Sequence, residues 1–369
     1  MKKIVICGGH LTPALALIEE LRSKDRLKES VKIYFFGRKY STEGSKSYSA
    51  EYQVITKNNI EFIEIVTGRL QRKFTRYTIL SLLKIPLGFL QSFYFLLRIR
   101  PSLIVSFGSY VSSPIVFTGW LLGIDSITHE QAVVPGLANK FNALFVKKVF
   151  LTWSQTKVFF DPSKTEVIGN LLRTSIFKTV SSNTKIKKFL QNSQSLVFVT
   201  GGNQGSHFIN QLIFKTIDKL DQFSVLHQLG TANFKKDHLQ AQQIKKQNYL
   251  PVTDIDPDDI GSILSKSLLV ISRSGANTVW ELATVAKPAI LIPLPASASG
   301  EQQANAKILE KAGSAVILKQ EVLTHEIFIK TVQNMSRNLS KYQKGAHQLA
   351  KFFPKDAAKI LTRFIYTNY

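Results

Sequence analysis

Residues 272–305 hold side chains whose order suggests chemistry: Ser272-Arg273-Ser274-Gly275-Ala276-Asn277-Thr278, then Glu281, then Pro293-Leu294-Pro295, then Gln302-Gln303-Ala304-Asn305. An apolar run, Leu268-Leu269-Val270-Ile271, stops at the small polar loop, and a helix-like pattern starts at Ala276. The first turn of a helix leaves backbone N–H groups unpaired at the positive end of its dipole, which suits a diphosphate. Gly275 permits close backbone approach, and Asn277 and Thr278 add polar side chains. Glu281 stands three residues past Thr278, on the same helix face. A carboxylate there can accept hydrogen bonds from both hydroxyls of a ribose. Gln302, Gln303 and Asn305 offer neutral amides, which read sugar hydroxyls without adding charge. In this order they form the parts of a nucleotide-sugar site at the carboxyl edge of a parallel sheet.

Three further loops carry candidate groups. Gly201-Gly202-Asn203-Gln204-Gly205-Ser206 follows an apolar run and can cradle phosphate through its backbone N–H groups. It lacks the Lys-Ser/Thr of a P-loop and the Gly-x-Gly-x-x-Gly spacing, which argues against ATP or GTP hydrolysis and against NAD. Cys7-Gly8-Gly9-His10 leads into Leu11-Thr12-Pro13, where Thr12 reads as a helix cap and Pro13 as the first helical residue. His10 then projects from a turn at the sheet edge, the place for a general base; a capping or core histidine is the competing reading. His129-Glu130-Gln131 follows a strand and is not a zincin motif, because residue 133 is Val. It reads as a polar acceptor-side triplet. Asp254-Ile255-Asp256 has the look of an Asp-x-Asp metal pattern. The preferred reading is a helix start, with Asp256 as N-cap, Pro257 at the first position, and Asp258 and Asp259 in the first turn.

These loops need a scaffold, and the chain supplies short apolar runs alternating with helix-period segments. Strands are expected at 3–7, 32–36, 61–66, 103–106, 126–129, 148–152 and 166–168, then at 195–200, 223–229, 268–272, 289–292 and 315–318. Apolar runs with helices between them indicate α/β architecture with parallel sheets covered on both faces. The strand–glycine-turn–helix openings at 3–10 and 196–205 echo each other. Two Rossmann-like domains facing across a cleft are inferred, divided near 170–190. The 369 residues suit two domains, and 44% hydrophobic content suits a globular core. One cysteine, Cys7, excludes an internal disulfide and argues against structural zinc.

Forty-eight Lys and Arg against 25 Asp and Glu give a net charge of +23, which suggests an anionic partner. The stretch Ile79–Leu97 approaches the length of a membrane span but contains Lys84, Pro86, Gly88 and Gln91. Arg69, Arg72, Lys73 and Arg76 precede it, and Arg98 and Arg100 follow. Basic flanks around an apolar, aromatic segment predict contact between residues 69–100 and an anionic membrane surface. The alternative is a buried domain helix. The N-terminus reads as the first strand of a cytoplasmic protein, not as a signal peptide.

Six blocks together resemble the MurG family of N-acetylglucosamine transferases. They are Gly-Gly-His-x-x-Pro-Ala-Leu-Ala at 8–16, Ser-Phe-Gly-Ser-Tyr-Val-Ser-Ser-Pro at 106–114 and His-Glu-Gln-Ala-Val-Val-Pro-Gly-Leu-Ala-Asn-Lys at 129–140. Gly-Asn-Leu-Leu-Arg at 169–173, Gly-Gly-Asn-Gln-Gly-Ser at 201–206 and the 272–306 block complete the set, in matching order. The resemblance implies a GT-B fold, with an acceptor and membrane-contacting domain of residues 1–172 plus 353–369 and a donor domain of residues 173–352. It implies inverting transfer of GlcNAc from UDP-GlcNAc to the C4 hydroxyl of a polyprenyl-diphosphate-linked acceptor, lipid I, to give lipid II for peptidoglycan. No cofactor and no metal are implied. By position, Ala276, Asn277, Thr278 and Glu281 form the donor block, with Glu281 on the ribose and Ile255 at uracil. Arg173 lies near the diphosphate, Gln302 on the sugar, and Asn203 and Gln204 in the glycine loop. His10 resembles the base, with Glu130 second, and Gly8 and Gly9 meet the acceptor diphosphate.

The chain departs from the family pattern in three places. Its first loop is Cys-Gly-Gly-His where the family has Gly-Gly-Thr-Gly-Gly-His, Ala132 replaces an asparagine, and Ser109 replaces a glycine. Two other readings are a related transferase with a different glycolipid acceptor and a non-enzymatic, basic nucleic-acid-binding protein. The first keeps the donor block; the second rests on charge alone, and no nucleic-acid partner is expected. A peripheral location on the cytoplasmic face of the membrane follows from the main reading.

Overall fold

The computed structural model describes residues 2–25, 31–40, 48–68, 76–232, 236–295 and 300–369. The chain divides into two units, Met1–Arg173 with Lys355–Tyr369, and Thr174–Pro354.

The first unit is built on strands β1 (Lys2–Cys7), β2 (Val31–Gly37), β3 (Glu61–Glu64), β4 (Leu103–Ser106), β5 (Ser126–Glu130), β6 (Lys148–Leu151) and β7 (Thr165–Val167). They form one sheet in the order β3-β2-β1-β4-β5-β6-β7, and every pairing is parallel. β1 and β4 bury all or most of their side chains, as expected of central strands covered on both faces. Phe35, Phe107 and Phe150 are fully buried, each worth roughly 2–3 kcal/mol of apolar burial. The final helix, Ala357–Asn368, returns to this unit. Its Leu361 and Ile365 share a core with Ile18 and Leu21, and Tyr366 donates to the Leu21 carbonyl at 3.3 Å.

The second unit holds β8 (Leu196–Thr200), β9 (Ser224–Gln228), β10 (Tyr249–Val252), β11 (Ser267–Ser272), β12 (Ala289–Leu291) and β13 (Ala315–Ile317). Their order is β10-β9-β8-β11-β12-β13, again parallel throughout. In both sheets the order reverses beside the first strand, which places the glycine loops after β1 and β8 at switch points.

Three elements differ from expectation. β10 is absent from the sequence reading because Pro251 interrupts its short apolar run; proline is tolerated there because β10 is an edge strand. The first helix spans Leu11–Asp25, so Thr12 and Pro13 lie inside its first turn and Thr12 is not the cap. The helix expected from Asp256 begins at Ile260. Asp256 accepts the Asp258 N–H, at 3.0 Å, in the preceding turn. The N-cap is Asp259, whose buried carboxylate instead accepts Ser181 Oγ, Ser182 N–H and Ser182 Oγ at 2.7–3.0 Å.

The 76–99 segment is one helix, Arg76–Ile99, with Pro86 inside it. Gly88, Ser92 and Leu96 are buried, whereas Leu83, Leu90 and Tyr94 are 70, 68 and 57% exposed. Gly88 and Gln91 therefore face the domain, whereas Pro86 is exposed. A Cβ on Gly88 would meet Thr67 Cβ at 2.4 Å, and Gln91 Oε1 accepts the Val66 N–H at 2.8 Å. The apolar side faces outward, and among the described residues this is the one helix long and apolar enough to cross a membrane. Arg69, Arg72 and Lys73 lie outside the described residues.

Candidate functional site

In the second unit, the carboxyl ends of β8 and β11 open into a pocket of about 450 Å³. Its wall includes the Gly201–Ser206 loop, Arg273, Gly275, Thr278 and Gln302. The helix Ala276–Thr284 starts behind Gly275, which supplies no side-chain cap, so its first-turn N–H groups keep their capacity for an anion. Gly202 and Gly205 both have φ of +84°, and a Cβ on Gly205 would lie 2.0 Å from the Leu229 carbonyl oxygen. Only glycine lets this loop run so close to the strand beside it. Gly202 N–H donates to Thr200 Oγ1 at 2.9 Å, Thr200 to Gln228 at 2.8 Å, and Gln228 to Asp254 at 3.3 Å. A hydrogen-bonded chain thus runs across the strand ends from the loop to Asp254 and Ile255. Gln302 is fixed by accepting the Leu294 N–H at 2.9 Å.

Arg273, not singled out in the sequence, braces this pocket. Its Nη2 donates to Ser206 Oγ at 2.8 Å, and Nη1 donates to the Ile292 and Pro293 carbonyls at 2.9 and 3.3 Å. One guanidinium so ties the glycine loop to the turn after β12. Burial lowers its pKa to about 10, which leaves it cationic at neutral pH. His207 is a second missed wall residue. Its Nδ1–H donates to the fully buried Asp237 at 2.8 Å. Asp237 also accepts from Asn210 and Gln211 at 2.8 and 3.0 Å, and Asn210 accepts from His227 Nε2 at 3.1 Å. No local motif announces this network, because its members come from three separate elements.

Of the residues expected at this site, Gln204, Thr278 and Gln302 line the pocket. Ala276, Asn277 and Glu281 share the helix that starts at its wall. Ala276 and Ile255 are buried, and Glu281 is half-buried. Asn203 is exposed at the loop tip, where its carbonyl accepts the Thr231 N–H at 2.9 Å. Arg173 is the last residue of the first unit. Among the described residues, no group of three or more His, Cys, Asp or Glu is placed to hold a metal.

The first unit has its own pocket, of about 590 Å³, lined by Gly9 and His10, Arg38 and Glu51, Ser109 and Tyr110, and apolar groups including Ile85, Phe89 and Phe141. Gly8 has φ of +130°, and a Cβ on it would sit 2.7 Å from the Gly108 carbonyl oxygen. The His10 loop is therefore pressed against the loop after β4. Ser109 holds φ of +73°, a left-handed conformation that costs a non-glycine residue about 1 kcal/mol or more. Burial lowers the pKa of His10, so its imidazole is neutral at neutral pH and has a free basic nitrogen.

Glu130 is placed differently from a catalytic group. It is buried, and its pKa is raised by that burial. Its Oε1 accepts the Ala132 N–H at 2.8 Å; its Oε2 accepts Gly136 N–H at 3.2 Å and Asn139 Nδ2 at 2.8 Å. Both oxygens are spent on holding the 131–139 loop, and Glu130 is not on the pocket wall. Beside it His129 donates from Nε2 to the Gly169 carbonyl at 2.9 Å and accepts Gln131 Nε2 at 3.0 Å. Burial pushes its pKa down to about 4.

Residues 7–151 match the glycosyltransferase family 28 N-terminal domain, and residues 196–361 match the family 28 C-terminal domain. Over 343 residues, 89% of this chain and 85% of the relative, the chain is 33% identical to the UDP-N-acetylglucosamine–N-acetylmuramyl-(pentapeptide) pyrophosphoryl-undecaprenol N-acetylglucosamine transferase of Treponema denticola. The chain belongs to the MurG family. The Clostridium perfringens and Borrelia hermsii members of this family are 30 and 27% identical, covering 92 and 98% of the chain and 92 and 94% of those relatives. The crystal structure of Acinetobacter baumannii MurG matches the full length of both chains with a TM-score of 0.67 at 21% identity. The UDP co-structure of Staphylococcus aureus MnaA matches 100% of this chain and 97% of its own, with a TM-score of 0.71 at 12% identity. These likenesses show the GT-B fold. As a MurG-family member the chain is a glycosyltransferase.

Proposed function

We propose that this enzyme moves GlcNAc from UDP-GlcNAc to the C4 hydroxyl of undecaprenyl-diphospho-MurNAc-pentapeptide, lipid I, with inversion, to give lipid II. The second unit holds the donor: Glu281 takes the ribose, Ile255 the uracil backbone, Gln302 the sugar, and the Ala276–Thr278 turn with the Asn203-Gln204 loop the diphosphate, aided by Arg173. The first unit holds the acceptor. His10 accepts the proton of the C4 hydroxyl as its oxygen bonds to the anomeric carbon. The carbon–oxygen bond to the diphosphate breaks, and UDP leaves with the electron pair, stabilised by the helix dipole and loop N–H groups. Glu130 shapes the loop beside the base and does not replace it.

The observation that carries the lipid-linked acceptor is the wall of the His10 pocket. Ile85 and Phe89 belong to the helix whose outer side is apolar and exposed. That surface continues over Trp120, Leu121, Leu137 and Leu144, exposed by 52–69%, through the rings of Phe89, Phe117 and Phe141, which meet edge-to-face and tilted. Arg98 and Arg100 are exposed at its end. An apolar face with basic flanks fits the cytoplasmic surface of an anionic membrane, next to a pocket suited to a membrane-tethered headgroup. The purified enzyme with UDP-GlcNAc and a short-chain lipid I analogue should release UDP and yield the disaccharide. Absence of transfer would overturn the assignment.

A further inference from the structure

The short loop at Gly8-Gly9 offers few backbone N–H groups to an anion, yet a guanidinium stands beside it. Arg38 follows β2 and lines the same pocket as Gly9 and His10. Its Nε lies 3.5 Å from Glu51 Oε2, and the Glu51 side chain is only 7% exposed against 34% for Arg38. The pair is built in from both sides. Glu51 sits in the first turn of the helix Ala50–Lys57, whose N-cap Ser49 accepts the Tyr52 N–H at 3.1 Å and donates to the Arg38 carbonyl at 2.6 Å. A Cβ on Gly9 would lie 3.8 Å from Glu51 Oε1, so the carboxylate that holds the arginine stands beside the glycine loop. With Nε directed to Glu51, the planar fork of Nη1 and Nη2 has no hydrogen-bond partner among the described residues. The other titratable groups on this wall are Glu51, His10 and Tyr110, leaving Arg38 as the one permanent cation among the described wall residues.

We propose that Arg38 is a substrate-binding residue that takes the diphosphate of the acceptor on its free guanidinium edge, with Glu51 as the positioning residue that aims it. The fork matches two phosphate oxygens, as a lysine ammonium does not, and it supplies donors that the short loop lacks. The inference rests on the acceptor reading above.

The test compares wild type with Arg38→Gln, which keeps a donor beside the buried Glu51, and with Arg38→Lys, which keeps the charge without the fork. With a short-chain lipid I analogue, Arg38→Gln should raise the acceptor KM by about 10- to 100-fold and leave the donor KM unchanged. Arg38→Lys should recover only part of the loss. An unchanged acceptor KM, or an equal rise in both KM values, overturns the proposal. Inorganic pyrophosphate, added with UDP saturating to fill the donor site, gives an arm independent of the acceptor. It should raise the melting temperature of wild type but not of Arg38→Gln. If wild type transfers no sugar yet responds to pyrophosphate through Arg38, the acceptor assignment falls and the anion site stands. If wild type transfers sugar and both proteins respond to pyrophosphate alike, the anion site falls and the transferase assignment stands.

Discussion

Acidification should destabilise the second unit through one buried imidazole. His227 is fully buried on β9 and neutral: Nε2 donates to Asn210 Oδ1 at 3.1 Å, and Nδ1 accepts the Tyr249 hydroxyl at 2.9 Å. Desolvation pushes its pKa down to about 3, against a smaller opposing pull from Asp237. The ordinary value in an unfolded chain is about 6.5. The folded pKa lies below the unfolded one, so the full stability is present above about pH 6.5. Below it the unfolded chain takes up a proton that the folded one refuses, at a cost of about 1.4 kcal/mol per pH unit until the folded pKa is reached. Between about pH 8 and about pH 5 the loss is about 2 kcal/mol from this residue alone. Urea unfolding followed by hydrogen exchange in residues 224–252, at both pH values, measures it. His227→Gln should be less stable at neutral pH but should lose about 2 kcal/mol less on acidification. An imidazole resonance titrating near pH 6.5, or equal pH slopes in the two proteins, would refute the reasoning.

Other expectations concern catalysis and membrane contact. His10→Ala should lower kcat by about 10²- to 10⁴-fold with little change in donor KM. Because burial lowers the pKa of His10, the acid limb of kcat/KM should lie below about pH 6.5; a limb at higher pH would remove His10 from the base role. Arg273→Gln unties Ser206 from the Ile292 carbonyl, and with roughly 1–3 kcal/mol at stake per charged hydrogen bond the donor KM should rise at least tenfold. An unchanged donor KM would show that the brace is dispensable. Leu83→Glu with Leu90→Glu should abolish sedimentation with anionic vesicles while leaving transfer to a water-soluble acceptor intact; retained vesicle binding would place membrane contact elsewhere.

The readable parts of this protein are those in which neighbouring residues act on one another. Runs such as Ile4–Cys7 and Leu196–Thr200 stop at glycine turns and announce strand, loop and helix within about ten residues. Gly275 and Gln302 could be singled out because strand ends and first helical turns are local patterns. The 76–99 helix was legible as an apolar stretch with basic flanks, but its inside-out burial was not. That Gly88 and Gln91 face the domain is decided by the Val66–Gly68 segment lying against them.

The opposite case is a side chain whose role is set by what folds beside it. Glu130 follows a strand in a polar triplet and reads as a possible acid or base, but three donors from residues 132–139 consume its oxygens. Arg273 and Arg38 look like ordinary surface cations until Ser206, Ile292 and Glu51, from other elements, are brought to them by the fold. His207 gains its buried Asp237 partner in the same way. Periodicity and turn chemistry are short-range effects, and the amino-acid sequence alone was enough for the two parallel sheets, the glycine turns and the family. Hydrogen bonding, desolvation and charge pairing depend on distance in space, and only the tertiary structure decided which polar groups are spent on the scaffold and which remain free to meet a substrate.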